Sequence, residues 1–354
     1  MPHNTMFQIE VPDNHVQIGG RKSKLAVIQS KLVKQSIEHT FPHLSCSILA
    51  LSTLGDKVLS KPLYSFGGKS LWTKELEALL IEPIGDFPKL DLIVHSLKDM
   101  PTNLPDEFEL GCILEREDPR DVLVMKKGSP YKSLKDLPEG SVVGTSSLRR
   151  QAQLLKSCPH LNFQDVRGNL ATRLAKLDDP ESPYACIVLA AAGLIREGLA
   201  DRITCALDAP DMYYAVGQGA LGIEIRKDCA FMKPLLSQLE HLPSAYRCTA
   251  ERTMMRLLEG GCSVPLGVQT MYNEDTEELY FKGIIVSPDG SESVEAETTA
   301  HVSSKSDAER VGEEIAIKLT ALGGKEILNA INFEKINQVP SKSPEVQVQT
   351  PVSA

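Results

Sequence analysis

A thiol, a carboxylate and a group of arginines are the side chains of this sequence that could do chemistry together. The thiol is Cys262, in the run Glu259-Gly260-Gly261-Cys262-Ser263-Val264-Pro265. Its glycines keep the backbone permissive, so a bulky group could approach the sulfur. A small buried hydrophobe is the plainer reading of a free cysteine. The carboxylate is Asp99, in His95-Ser96-Leu97-Lys98-Asp99-Met100-Pro101-Thr102. Pro101 biases Met100 towards an extended conformation, so Lys98 and Asp99 should project from a turn at a strand end. Taken alone they could form a surface ion pair or an Asx turn. Set among cations, a lone carboxylate could stabilise a developing positive charge.

The cations are local. Between Thr145 and Lys176 six basic residues (Arg149, Arg150, Lys156, Arg167, Arg173, Lys176) meet one acidic residue, Asp165. Such a run usually makes a solvated face, yet arginine predominates and its planar fork suits carboxylates and phosphates. The chain of 354 residues carries a net charge of -9, which disfavours nucleic acid and membrane surfaces as partners. An arginine cluster in an acidic protein points to a small polyanionic ligand. Thr145-Ser146-Ser147 can cap the helix that starts near Leu148, and the free N–H groups there, with Arg149 and Arg150, make an anion site. Arg167-Gly168-Asn169-Leu170-Ala171-Thr172-Arg173 adds two arginines around a glycine that lets backbone approach a ligand.

The elements that must position these groups alternate. Short apolar runs, His15–Gly20, Leu90–Val94, Ser141–Gly144 and Ala185–Leu189, each lead through a small or polar turn into a helical pattern. This favours α/β domains with largely parallel sheets, with ligands outside the carboxyl ends of the strands. The last third changes character: runs at Gly267–Thr270, Leu279–Val286 and Val294–His301 read as antiparallel hairpins. Ser306-x-x-Glu309 then resembles a capping box, and Val311, Ile315, Leu319 and Leu322 share one helix face until Gly323-Gly324. Tyr214-Ala215-Val216-Gly217-Gln218-Gly219-Ala220-Leu221-Gly222 lacks the order of a dinucleotide-binding loop and reads as a crossover between domains. Trp72 reads as core, Ile81–Lys89 as a surface loop, and 337–354 as a disordered tail.

The length suits two or three domains. The eight cysteines (Cys46, Cys112, Cys158, Cys186, Cys205, Cys229, Cys248, Cys262) are widely spaced, with no C-x-x-C. They are expected to be reduced thiols, not a disulfide framework or a zinc site, so no metal is expected. The start of the chain lacks signal-peptide character and no run spans a bilayer, so a soluble, cytoplasmic protein is expected.

Over Val16 to Ile331 the chain resembles the porphobilinogen deaminase family. The matches are Gly20-Arg21-Lys22-Ser23-x-Leu25-Ala26, Ser52-Thr53-x-Gly55-Asp56, His95 to Asp99 with Pro101-Thr102, Val143 to Arg150, Arg167-Gly168-Asn169 with Arg173, Tyr214 to Gly222, and Glu259 to Ser263 with Pro265. The resemblance implies an enzyme that joins four porphobilinogen molecules head to tail, releasing ammonia at each step, to give hydroxymethylbilane for haem synthesis. It implies a dipyrromethane primer attached by a thioether to Cys262, with Asp99 as the catalytic carboxylate. Cofactor contacts would come from Lys98, Asp99, Ser96, Thr145, Ser146, Ser147, Gly168, Arg149, Arg150 and Arg173. Substrate contacts would come from Arg21, Ser23, Arg167, Arg173, Arg196 and Gln218. A monomer is implied, with two α/β domains like those of periplasmic binding proteins (1–116 with 217–240, and 117–216) and a smaller α+β domain (241–336) carrying the cysteine. Where family members usually have Thr or Ser, this chain has Gly20, and Trp72 stands in place of Phe.

Two rival readings use the same arginines. A passive anion-binding protein of periplasmic type needs neither Cys262 nor Asp99. A ligand-sensing regulator would need a DNA-binding domain, for which barely fifteen residues precede Val16.

Overall fold

In the computed structural model, residues 10–52, 74–258 and 264–331 are described. Cys262, Gly55, Asp56, Trp72 and the tail from 337 lie outside the described residues.

The first sheet has the order β2-β1-β3-β10-β4, from Ser45–Leu51, His15–Arg21, Leu92–Ser96, Leu221–Arg226 and Phe108–Ile113. The second has the order β7-β6-β8-β5-β9, from Asn162–Gln164, Val142–Gly144, Tyr184–Ala190, Asp121–Met125 and Cys205–Leu207. Both are mixed, not largely parallel as the alternation suggested. Among the described residues only β1 with β2 and β3, and β6 with β7 and β8, pair in parallel. The difference has one cause. β5 enters the second sheet from the first and β10 returns, and each runs antiparallel to both of its neighbours. The glycine-rich run before β10 is thus the return crossover, and 114–120 is the outgoing one.

Helices cover the sheets. α1 (Lys24–Thr40) and α2 (Lys74–Ile81) serve the first, and α3 (Leu148–Ser157), α4 (Leu170–Asp178) and α5 (Ala191–Arg196) the second. α6 (Met232–Ser237) packs on β4 and leads to α7 (Leu242–Leu257). Strands with both faces covered become uniformly apolar, and β5 and β10 are buried almost throughout. The third sheet is a meander of β11 (Leu266–Asn273), β12 (Glu278–Val286) and β13 (Ser293–His301), backed by α7, α8 (Lys305–Ala321) and α9 (Gly324–Asn329). Its hairpins match the sequence expectation.

The cap of α8 does not. Ser304 holds that place, two residues before the expected Ser306, and its hydroxyl accepts from Asp307 N at 3.1 Å. The buried stripe already starts at Ala308, one turn before Val311, so the helix must begin earlier. In the 81–89 segment, Ile84 and Phe87 exchange backbone hydrogen bonds of 3.1 and 3.0 Å, closing a tight turn on the surface.

Candidate active site

The site is built where strand ends of the first two sheets meet at the crossovers. Ser96 ends β3 and is followed by a 3-10 turn, Leu97–Asp99. Leu97 is buried in a core with Met100 and Ala220, which leaves Asp99 exposed and Lys98 half-buried. Gly217, at φ +70°, lies against this turn: a Cβ there would sit 3.2 Å from Lys98 N, so the approach requires glycine. Parallel to β3 runs β1, ending in Arg21. Ser23 caps α1, accepting from Ala26 N at 3.3 Å, and Ser96 Oγ lies 2.8 Å from Gln29 Nε2 of the same helix.

From the second sheet, β6 leads into Thr145-Ser146-Ser147. Ser147 caps α3 by accepting from Arg150 N at 3.4 Å, and Thr145 Oγ1 accepts from Ser147 N at 3.2 Å. As acceptors there, both keep a proton to donate. Ser146 already donates to Val166 O at 3.0 Å. In the first turn of α3, Arg149 and Arg150 converge on Asp121 of β5. Arg149 Nη1 reaches Oδ2 at 2.7 Å, and Arg150 Nε and Nη2 reach Oδ1 at 3.0 and 2.8 Å. Burial would raise the pKa of Asp121, but the two guanidiniums outweigh it and hold the carboxyl well below its usual range.

Gly168, at φ +118°, turns the loop so that its carbonyl accepts from Arg173 Nε at 2.8 Å. Arg167 lies 3.8 Å from Asp165. Burial depresses the Arg173 pKa to about 10, with repulsion from Arg150 and Arg167 adding to it and Asp99 opposing. Burial likewise brings Lys98 down to about 8, with Arg150 and Arg149 adding repulsion against Asp99 and Asp121. The structure therefore gathers Lys98, Asp99, Arg149, Arg150, Arg167 and Arg173. Arg196 stands at the return crossover, donating to Gly219 O at 2.7 Å, and burial lowers its pKa.

Gln218 differs from the expectation of a substrate contact. It is buried, its Nε2 donates to Pro119 O at 2.8 Å and Asp121 Oδ1 at 2.9 Å, and its Oε1 accepts from Lys98 Nζ at 3.3 Å. Both amide hydrogens are engaged by protein, because the crossover glycines fold its side chain inward.

Sequence reading passed over Asp121 and the pair Arg116–Glu251. A charged residue opening the apolar run Asp121-Val122-Leu123-Val124-Met125 was the available signal, since an acid at the head of a buried strand needs a buried partner.

Comparison with known proteins decides the family. Residues 16–233 match the model of the porphobilinogen deaminase dipyromethane cofactor binding domain, and residues 245–321 match that of the porphobilinogen deaminase C-terminal domain. This chain belongs to the porphobilinogen deaminase family. A porphobilinogen deaminase of Debaryomyces hansenii is 65% identical, covering 100% of this chain and 99% of its own. That of Candida albicans is 63% identical over 97% and 100%, and that of Saccharomyces cerevisiae 55% over 91% and 98%. Among solved structures, the methionine-binding protein MetQ matches at 15% identity with a TM-score of 0.40, covering 68% of this chain and 95% of its own. The fold rests on the two mixed sheets and not on that distant likeness. As a porphobilinogen deaminase, the chain has its cofactor-binding region spanning both crossovers and the whole cationic cluster.

Proposed function

We propose that this member of the porphobilinogen deaminase family makes hydroxymethylbilane by joining four porphobilinogen units, with Cys262 as the covalent anchor of its dipyrromethane and Asp99 as the catalytic carboxylate. The observation that carries the assignment of the site is its charge. Among the described residues five cations, Lys98, Arg149, Arg150, Arg167 and Arg173, stand with three carboxylates, Asp99, Asp121 and Asp165. Burial, and then repulsion from neighbouring cations, lowers the pKa of Lys98, Arg150 and Arg173, a strain that an incoming polyanion would relieve. A dipyrromethane bears acetate and propionate groups, so the donor set fits it. Lys98, Arg149, Arg150 and Arg173, with the hydroxyls of Ser96, Thr145 and Ser147, would hold those carboxylates, while the Ser146 hydroxyl is given to Val166 O. Gly168 allows the backbone approach. When bound, the dipyrromethane supplies the unsubstituted pyrrole carbon from which the chain grows.

Arg21, Ser23, Arg167, Arg173 and Arg196 take the carboxylates of incoming porphobilinogen. Asp99, exposed beside these cations, accepts a hydrogen bond from the substrate pyrrole N–H and stabilises the positive charge that develops as ammonia leaves. Each addition breaks one C–N bond and forms one C–C bond, and the proton lost from the ring carbon balances the ammonia released. The carboxylate works on the cation while the arginines hold the anions.

The three-domain division at 1–116 with 217–240, 117–216 and 241–336 belongs to this reading, and the membership of the three sheets supports it. A cytoplasmic monomer belongs to it as well; the unpaired state of the seven described cysteines suits a reducing compartment. The deciding experiment is intact mass of the denatured protein beside Cys262→Ser. An excess of two pyrrole units in wild type alone, growing in single-pyrrole steps with porphobilinogen, is the expected result. A bare polypeptide that gains nothing with substrate would sink the proposal.

A further inference from the structure

Asp121 has no part in the chemistry proposed above, yet it is the most heavily engaged carboxylate of the site. It is fully buried at the head of β5. Its Oδ2 takes Arg149 Nη1 at 2.7 Å, while Oδ1 takes Arg150 Nε and Nη2 at 3.0 and 2.8 Å and Gln218 Nε2 at 2.9 Å. Gln218 then passes the link on, since its Oε1 accepts from Lys98 Nζ at 3.3 Å. Backbone carbonyls add to the hold: the same Arg149 Nη1 donates to Tyr213 O at 2.5 Å, and the remaining Arg150 nitrogen, Nη1, donates to Val188 O at 2.8 Å.

We infer that Asp121 is a positioning residue of the anion site: it fixes Arg149 and Arg150 directly, and Lys98 through Gln218, before any polycarboxylate arrives. The inference rests on the reading that these cations hold the cofactor. Three like charges from two different sheets would splay apart without an internal counter-ion. Donors already fixed in place need no reorganisation when the ligand binds. Arg149 Nε and Nη2 have no partner among the described residues, so one edge of its fork is left for an incoming carboxylate. Gln218 is suited to the link because an amide accepts from one cation and donates to the anion at once. A simple structural ion pair would involve neither Gln218 nor Lys98.

The test uses the full-length protein with Asp121→Asn, Asp121→Glu and Gln218→Leu. Two readouts are taken: the fraction carrying the covalent pyrrole mass, and the pH profile of Lys98 acetylation by acetic anhydride, mapped by peptide mass. Asp121→Asn should lower the loaded fraction about tenfold, as expected when one partner of a buried charge group is neutralised. Its Lys98 should become reactive at lower pH than in wild type, because a carboxylate that favours the charged amine has gone. Gln218→Leu should shift the Lys98 profile the same way with a smaller loss of loading, and Asp121→Glu should recover part of both. A folded Asp121→Asn with wild-type loading and an unchanged Lys98 profile overturns the inference. If that variant fails to fold, an unchanged Lys98 profile in Gln218→Leu overturns it instead. A wild type without pyrrole mass would remove the functional reading, while the Lys98 profiles would still decide the role of Asp121.

Discussion

Arg116 and Glu251 meet as a bidentate pair, Nη1 to Oε1 at 2.6 Å and Nη2 to Oε2 at 3.0 Å, with both side chains almost wholly buried. Arg116 lies on the outgoing crossover and Glu251 on α7. Glu251 also accepts from Gly217 N of the return crossover at 2.8 Å and from Thr270 Oγ1 of β11 at 2.6 Å. One ion pair therefore ties both crossovers to the third sheet. Arg116→Ala would leave a buried carboxylate uncompensated, which costs roughly 3–5 kcal/mol out of a stability of about 5–15 kcal/mol. The thermal midpoint and soluble yield should both fall sharply. The double variant Arg116→Met with Glu251→Leu should lose less than the single one. Melting curves of the three proteins check this, and an undisturbed Arg116→Ala would show the pair to be dispensable.

Asp99→Asn removes charge at an exposed position without changing shape. The fold and the loading at Cys262 should persist, while turnover should drop by roughly 10²–10⁴, the range of a lost acid–base or charge-stabilising group. The rate of hydroxymethylbilane formation, measured beside a melting curve, is the check. A rate within twofold of wild type, with an unchanged melt, would remove Asp99 from the mechanism.

The strands were legible because their apolar runs are short and bounded by polar turns: β6, β8, β12 and β13 fall within a residue or two of the sequence reading. Strand direction was not, because nothing local in Asp121–Met125 or Leu221–Arg226 records that each arrives from the other sheet. The arginine cluster was legible as a compositional anomaly in an acidic chain. Its internal wiring was not, since Asp121 lies 28 and 29 residues from Arg149 and Arg150, and Gln218 lies 97 and 120 residues from Asp121 and Lys98. Gln218 was a substrate contact only by the family resemblance, since its glycine-rich setting reads as a crossover. In the structure Gly217 lets the crossover press against the Leu97–Lys98 backbone and Gly219 against Glu117, and the amide between them points inward.

Lys98 gives the site a pH dependence. Burial first, then repulsion by Arg150 and Arg149, brings its pKa from 10.5 down to about 8. Between those values the unfolded chain binds more protons than the folded one, so this residue makes the ligand-free protein more stable as pH rises from about 8 towards 10.5. A bound carboxylate reverses the preference, favouring the charged amine. Binding of a dipyrromethane by the cofactor-free protein should therefore weaken as pH rises through 8 and be accompanied by proton uptake there. Calorimetric titration at pH 8.5 in two buffers of different ionisation enthalpy measures that uptake. It should disappear in Lys98→Met, and equal heats for wild type in both buffers would contradict the assignment.

Arg252 couples α7 to the turn that carries Asp99. It is buried on α7, one residue after Glu251, and donates to Met100 O at 3.2 Å and Pro101 O at 2.6 Å, directly after Asp99. The same helix ends at Leu257, two residues before the 259–263 segment that contains Cys262. A single helix thus precedes the segment of Cys262, the proposed anchor, and grips the turn that presents Asp99. Arg252→Ala removes two charge-assisted hydrogen bonds to carbonyls, of about 1.5–3 kcal/mol each, so stability should fall. The sharper expectation is a split: pyrrole mass at Cys262 retained, turnover per loaded molecule reduced by about tenfold or more, as for a reacting group displaced by a fraction of an ångström. Arg252→Lys, able to reach one carbonyl, should recover part of the rate. If loaded Arg252→Ala turns over at the wild-type rate despite a lower melting temperature, α7 contributes stability alone and the alignment of Asp99 has another origin.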